Sequence, residues 1–355
     1  MLRHNIRNSP LIISPGTNHY SWPKGATLLG IGQSNVIAVH VDKDARQNVA
    51  ELKNILEQCL QTKTSVFMVV VVMGSTEEGA VVPLCQILTL REEYRERGLN
   101  FMIHADAAWG GYLLTMLSPS NKSNIYTEEK RGDFVPHIPL STHVEAQFHV
   151  LKYVDTVTID PHKSGLCLYP AGSLCYRNRK MREFVSMKAS EVYHGEDDKN
   201  VAVFGIEGSK PGASAASVAL SHKVIGLNDK GYGRILGQCQ FSAKLFYCLW
   251  MTVAKDYDEW HCLNFVDMPS CIGKTVEEQK GFIRRRILGR QNTELIQDRE
   301  AMEFLSTIGP DALINTFAVN MKSNTDILIC NEIQQLLFDE TNGKRRALQI
   351  CLKSL

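Results

Sequence analysis

The stretch Thr158-Ile159-Asp160-Pro161-His162-Lys163-Ser164-Gly165 has a lysine directly after a histidine, at the end of the apolar, β-branched run Val154 to Ile159. Such a run predicts a buried strand, and α/β sheets carry their chemistry at the carboxyl ends of strands. A bare cation is costly there, but desolvation lowers the pKa of a lysine and leaves a neutral amine that can form a Schiff base. For an isolated Pro-His-Lys, a surface lysine after a turn is the ordinary alternative.

A second motif, Phe-Met-Ile-His-Ala-Asp-Ala-Ala-Trp-Gly-Gly-Tyr at Phe101 to Tyr112, also ends an apolar strand on a polar group. The Asp106 carboxylate can pair with a protonated pyridine nitrogen, and the small Ala107 and Ala108 let a flat ring lie against the backbone. A lone aspartate at such a position is usually a helix N-cap. Combined with the His-Lys strand end, this motif indicates a site for pyridoxal 5′-phosphate (PLP), whose charged ring accepts electrons.

The composition limits the other function classes. A chain of 355 residues with 44% hydrophobic residues can bury a large core, and its formal net charge of +1 gives no electrostatic argument for nucleic acid or a membrane surface. Ten scattered cysteines without a Cys-x-x-Cys spacing predict no metal site and suit a reducing compartment. The start lacks an apolar signal segment, and Val66 to Met73 is too short to span a bilayer. We therefore expect a soluble, cytoplasmic protein.

Strands and helices alternate over the first half of the chain, which predicts a layered α/β domain. The strands are predicted at Leu11–Ile13, Val36–Val41, Val66–Met73, Phe101–His104, Val154–Ile159 and Leu174–Tyr176. Further along, two strands at Glu259–Val266 and Ala312–Asn320 flank a charged helix and predict a smaller α+β lobe. We expect a large PLP-binding domain over residues 1–235 and a small C-terminal domain over residues 236–355.

The chain resembles the group II PLP-dependent amino-acid decarboxylases, a fold-type I family, and is most similar to their tyrosine decarboxylase branch. The segments that carry the resemblance span nearly the whole chain: His19-Tyr20-Ser21, Gly74 to Ala80, His104 to Gly111, Asp160 to Lys163 and Gly205 to Ala213. The resemblance implies a fold-type I, PLP-dependent transferase-like α/β architecture, with a mainly parallel central sheet flanked by helices. It also implies a homodimeric carboxy-lyase that converts an L-amino acid, aromatic and tyrosine-like, to the amine and carbon dioxide.

The resemblance gives each matching residue an expected role around the cofactor. Lys163 matches the Schiff-base lysine, Asp106 the partner of the pyridine nitrogen, and Ala108 the small residue against one ring face. His19 matches the histidine that stacks on the other face and influences protonation after carbon dioxide leaves. His162, beside the lysine, is expected to position groups or to take part in protonation.

Five further residues complete the expected site. Thr76 and Ser75 match hydroxyls that contact the cofactor, and Ser209 lies in a segment that approaches the cofactor phosphate, often across the dimer interface. Tyr169 matches a tyrosine six residues after the lysine in the tyrosine decarboxylase branch and is expected on the substrate side. Tyr193 is the nearest candidate for a loop tyrosine that assists protonation.

The sequence differs from the family at both ends. It begins eighteen residues before His19, so the family's N-terminal segment, which cradles the phosphate, is expected to be missing from the large domain. The segment from Lys344 to Leu355 is unlike the family, and the small domain is expected to be incomplete. Two alternatives stay open: a truncated non-catalytic paralogue that acts as a dimerising subunit, or another PLP lyase or aldehyde synthase chemistry. Retention of His19 argues against the aldehyde synthase.

Overall fold

The computed structural model describes residues 8–120, 134–186, 211–255, 257–270 and 273–343. The chain divides into two compact units. The first unit comprises Met1–Thr127 and Pro139–Gln238, and the second comprises Glu128–Ile138 and Cys239–Leu355.

The first unit is built on a six-stranded sheet with the strand order β2-β1-β3-β4-β5-β6. The strands are β1 Leu11–Pro15, β2 Val36–Val39, β3 Val66–Val72, β4 Met102–Asp106, β5 Thr156–Ile159 and β6 Ser173–Tyr176. β1 to β5 run parallel to one another, and β6 pairs antiparallel with β5. The predicted, mainly parallel sheet is therefore confirmed, and the carboxyl ends of β1 to β5 meet at one edge.

Helices connect β1 to β5, as the alternating pattern predicts, and one further helix follows β6. They are α1 Ser21–Leu28, α2 Val49–Thr62, α3 Leu84–Glu96, α4 Thr142–His149 and α5 Gly212–Ile225. α2 shows the local causes clearly: the Asn48 side chain accepts a hydrogen bond from the Glu51 backbone N–H, and the left-handed Lys63 ends the helix. Leu52 and Leu56, one turn apart, bury its apolar face.

The interior of the sheet is formed largely by β3. Val69, Val70 and Val71 are fully buried, as expected for a strand of a parallel sheet that is covered on both faces. Just beyond β3 and β4, the backbone segments touch: a Cβ atom on Gly110 would lie 1.8 Å from the carbonyl oxygen of Met73. Only glycine permits this approach, which brings together the segments that follow the two strands.

The second unit pairs helices with a small antiparallel sheet. It contains most of α6 Tyr232–Thr252, then β7 Trp260–Asn264, α7 Val276–Arg286, α8 Asn292–Leu295, α9 Arg299–Thr307, β8 Phe317–Met321 and α10 Ile327–Gly343. The strand predicted from Ala312 begins instead at Phe317, because Phe317 pairs with Asn264, the last residue of β7.

The core of the second unit is formed by side chains from α6, α7 and α9 and their neighbours. Its buried members include Phe241, Tyr247, Phe282, Ile283, Phe304 and Leu305. Among the helices of the described residues, none combines the length and apolar character needed to cross a membrane.

Candidate active site

A pocket of about 210 Å³ lies at the carboxyl edge of the parallel sheet in the first unit. It is lined by segments that follow β1, β3, β4 and β5, which contribute His19, Thr76, Asp106, Ala108 and Lys163. Parallel strands that end at a common edge bring residues distant in sequence to one site. The structure therefore gathers these predicted residues around a single pocket.

Lys163 lies in a tight turn directly after β5. Its backbone N–H donates to the Asp160 carbonyl at 2.9 Å, and its own carbonyl accepts from the Leu166 N–H at 3.0 Å. The Lys163 Nζ atom forms an ion pair with Asp160 Oδ2 at 3.1 Å. Asp160 also lines the pocket. Sequence reasoning assigned it no role, although its spacing of three residues from Lys163 in a turn is a signal for this contact.

The carboxylate of Asp106 is held by two donors from the protein. Its Oδ2 atom accepts a hydrogen bond from Trp22 Nε1–H at 3.2 Å, and its Oδ1 atom accepts one from the Ala108 backbone N–H at 3.3 Å. A carboxylate offers about four acceptor positions, so it can accept another hydrogen bond from a protonated ring nitrogen. The methyl side chain of Ala108 beside it leaves room for a flat ring. This donor and acceptor set fits the pyridine ring of PLP.

His104 is a buried residue of β4, two positions before Asp106. Its ring nitrogens lie 2.7 Å from the Thr156 hydroxyl and 3.2 Å from the Thr158 hydroxyl. Burial lowers the pKa of His104 to about 4, against the opposing effect of the Asp106 charge. The ring is therefore neutral at pH 7, and the Trp22 indole packs edge-on against it, with ring centroids 5.0 Å apart.

Sequence reasoning missed Trp22 and His104. His104 could have been found from the period of two along a strand, because it shares a strand face with Asp106. Trp22 had no such signal, since its contact with Asp106 joins residues 84 positions apart.

His19, half-buried in the loop before α1, is fixed through one ring nitrogen. Its Nδ1 atom accepts a hydrogen bond from the Ser21 backbone N–H at 3.3 Å and lies 2.8 Å from the Ser21 hydroxyl. A backbone N–H can only donate, so Nδ1 is an acceptor and the neutral ring carries its proton on Nε2. His19 therefore has a single N–H available for a ligand.

The structure does not bring Ser75 to the pocket lining. Its buried hydroxyl donates to Glu78 Oε2 at 2.7 Å and accepts from the Ala80 backbone N–H at 3.1 Å. Ser75 therefore fixes the turn that presents Thr76, which does line the pocket.

His162 and Tyr169 form a separate pair near the pocket. His162 Nδ1–H donates to the carbonyl oxygen of Ala171, and the His162 ring packs edge-on against the Tyr169 ring with centroids 4.9 Å apart. Tyr169 is 80% exposed, and neither residue lines the pocket.

Tyr193 and Ser209 lie outside the described residues. Over the described ranges, no group of His, Cys, Asp and Glu side chains could hold a metal ion.

Comparison with known proteins agrees with this geometry. Residues 2–127 match the pyridoxal-dependent decarboxylase conserved domain. The chain is 37% identical over 244 residues to an L-tyrosine decarboxylase of Enterococcus faecalis and 32% identical over 250 residues to one of Enterococcus faecium. These alignments cover 66% and 68% of this chain but 39% and 41% of the relatives, so the chain spans about two fifths of the curated relatives it matches.

Solved structures show the same fold. The structure of Catharanthus roseus tryptophan decarboxylase in complex with L-tryptophan superposes with a TM-score of 0.53 at 15% identity, over 95% of this chain and 63% of that chain. The fold is thus the fold-type I α/β architecture of PLP-dependent proteins, as predicted. Residues 2–127 thus carry the pyridoxal-dependent decarboxylase conserved domain, and the chain is similar to tyrosine decarboxylases, which supports PLP as its cofactor.

Proposed function

We propose that the protein is a PLP-dependent carboxy-lyase that releases carbon dioxide from an L-amino acid and forms the amine. The observation that carries this proposal is the set of an amine, a carboxylate, a small side chain and an imidazole around one pocket: Lys163, Asp106, Ala108 and His19. The names of the similar relatives favour an aromatic, tyrosine-like substrate.

The residues of the pocket have distinct roles in holding the cofactor. Lys163 would bind its aldehyde carbon, Asp106 its ring nitrogen, and Ala108 and His19 its two ring faces, with the Thr76 hydroxyl as a further contact. PLP supplies the electron sink that stabilises the carbanion left when carbon dioxide departs.

Side chains and backbone N–H groups of the protein stabilise charges and hold hydrogen bonds in the pocket. The Trp22 and Ala108 N–H donors stabilise the negative charge on Asp106, which is needed opposite a protonated ring nitrogen. The N–H at Nε2 of His19 could donate a hydrogen bond to a substrate carboxylate and so influence protonation at the neighbouring carbon. Asp160 would provide a counter-ion for the Lys163 side chain whenever that amine is protonated.

Four predicted residues have proposed roles outside this core set. We propose His162 as a positioning or protonation group and Tyr169 as a contact on the substrate side, since their rings pack together and that of Tyr169 is exposed. Tyr193 and Ser209 keep the roles that the resemblance implies, in protonation and near the cofactor phosphate.

We also propose that the protein is a homodimer. α5 is largely apolar, yet none of its side chains is buried, and Leu220 and Val224 are 63% and 73% exposed. Apolar side chains exposed in this way mark interaction surfaces, and the family implies a second copy as the occupant. The division into a PLP-binding domain over residues 1–235 and a small domain over residues 236–355, and the cytoplasmic location, stay predictions.

The test is incubation of the full chain with PLP, followed by product analysis with tyrosine, DOPA, tryptophan, glutamate and aspartate. We expect a visible absorbance from bound PLP and formation of an aromatic amine, both lost in Lys163→Ala. An aldehyde with ammonia and peroxide would indicate aldehyde synthase chemistry instead. A folded dimer that takes up no PLP would contradict the proposal in favour of a non-catalytic subunit.

A further inference from the structure

The turn that carries Lys163 contacts a group of buried and half-buried polar side chains with no role in the proposed chemistry. We call Tyr112, Ser221, His222 and Tyr232 the tyrosine cluster. None of its members lines the pocket. All four belong to the first unit.

Tyr232 bonds directly to the turn. Its side chain is fully buried, and its hydroxyl donates to the Gly165 carbonyl oxygen at 2.8 Å, two residues after Lys163. The Ser221 hydroxyl lies 2.8 Å from the Tyr232 oxygen. Because the carbonyl uses the only phenol proton, Ser221 must be the donor in this second bond. Burial raises the pKa of Tyr232, so the phenol remains a donor at neutral pH.

Tyr112 packs against the same residue of the turn. A Cβ atom on Gly165 would lie 2.4 Å from Cζ of Tyr112. The Tyr112 hydroxyl lies 2.7 Å from Nε2 of His222. Burial raises the pKa of Tyr112 and lowers that of His222, so a phenol donates to a neutral imidazole. Tyr112 follows Asp106 by six residues, so the cluster connects the segment after Asp106 with the turn of Lys163.

The turn needs such support because its own bonds are few and its backbone is strained. Within the turn, Asp160 and Leu166 bond to Lys163, the Cys167 N–H donates to the Pro161 carbonyl at 2.9 Å, and Cys167 Sγ lies 3.4 Å from the Gly165 carbonyl. A further bond leaves the turn, from the Ser164 hydroxyl to the Trp109 carbonyl. Leu166 has a φ of 54°, a left-handed conformation that is unfavourable for a residue with a side chain. The Leu166 side chain is exposed and cannot anchor the strained residue by packing.

We propose that Tyr232, supported by Ser221, is a positioning residue that holds the Lys163 turn in the conformation that directs the lysine to the pocket. Tyr112 fixes the same turn by contact with Gly165. The role of Lys163 in binding PLP rests on the proposed function. The contribution of Tyr232 to the conformation of the turn does not depend on it.

The test compares Tyr232→Phe with a matched control, Tyr94→Phe, in the full chain. Tyr94 of α3 is also fully buried, and its hydroxyl lies 3.0 Å from a backbone carbonyl, that of Lys53, and 3.2 Å from Glu57 Oε2. Loss of one such hydrogen bond raises the opening equilibrium of the segment it holds about fivefold. We expect amide hydrogen exchange in the peptide over residues 160–168 to accelerate about fivefold in Tyr232→Phe only. We expect the dissociation constant of PLP to rise by a similar factor in the same variant.

Each result decides the proposal. Faster exchange confined to the turn, with weaker PLP binding, supports it. Unchanged exchange in Tyr232→Phe, or an equal rise in Tyr94→Phe, overturns it, and so does faster exchange with unchanged PLP affinity. If the wild-type chain binds no PLP, the proposed function fails, and the exchange comparison alone decides whether Tyr232 holds the turn.

Discussion

The replacement Trp22→Phe tests whether Asp106 is the group that binds the ring nitrogen of PLP. It removes one N–H donor, the one that lies 3.2 Å from Asp106 Oδ2, and keeps an aromatic ring beside His104. A hydrogen bond to a charged group contributes about 1.5–3 kcal/mol, and the length of this one favours the lower figure. Because the bond stabilises the negative charge that the ring nitrogen requires, we expect the dissociation constant of PLP to rise up to about tenfold, which corresponds to about 1.4 kcal/mol.

Titration with PLP, followed by absorbance, measures this effect. Trp250→Phe is the matched control, because the buried N–H of Trp250 has no hydrogen-bond partner within the described ranges. The Trp250 ring stacks on Phe317 at 3.7 Å between centroids, a contact that phenylalanine can keep. Equal PLP affinity in Trp22→Phe and wild type would refute the reasoning, as would an equal loss in both variants.

Three further predictions concern stability. Gly110→Ala should destabilise the fold by at least about 3 kcal/mol in urea unfolding, because the new Cβ would lie 1.8 Å from the Met73 carbonyl oxygen. Its control is Gly25→Ala in α1, where the new Cβ meets no atom within 4 Å and the change should be neutral or stabilising. Asn48→Ala should cost about 1 kcal/mol through loss of the α2 cap, detectable as a lower urea midpoint. His104 has a pKa of about 4 when folded, against 6.5 when exposed, so the unfolded chain binds more protons between these values. The contribution of His104 to stability is therefore complete above pH 6.5 and falls by up to about 3 kcal/mol towards pH 4, and His104→Asn should show a shallower loss between urea titrations at pH 7 and pH 4.5.

Part of the site follows from sequence because its residues are local to strand ends. The apolar runs before Asp106 and Lys163 predict parallel strands, and parallel strands bring both residues to one edge of the sheet. His19 follows β1 in the same way. Each of these residues lies at or just after the end of its own strand, so a local sequence pattern is enough to predict its place at the pocket.

The supporting contacts do not follow from sequence, because they join segments far apart. Trp22 reaches Asp106 only because β1 inserts between β2 and β3, a strand order that no local pattern specifies. Tyr232 reaches Gly165 across 67 residues. Ser75 and Thr76 carry adjacent hydroxyls, and the sequence does not distinguish which of them contacts the cofactor. In the structure, the Ser75 hydroxyl is occupied by its bonds to Glu78 and Ala80 and does not line the pocket.

The central claim is that Lys163 binds the cofactor, and borohydride reduction of the PLP-loaded chain followed by peptide mass mapping tests it most directly. Lys244 is a demanding internal comparison: burial lowers its pKa to about 8, yet its Nζ donates to the Pro310 carbonyl at 2.7 Å. We predict a phosphopyridoxyl group on the peptide that contains Lys163 and none on the peptide that contains Lys244. Label on Lys244 or another lysine with Lys163 unmodified, or no label at all, would contradict the account.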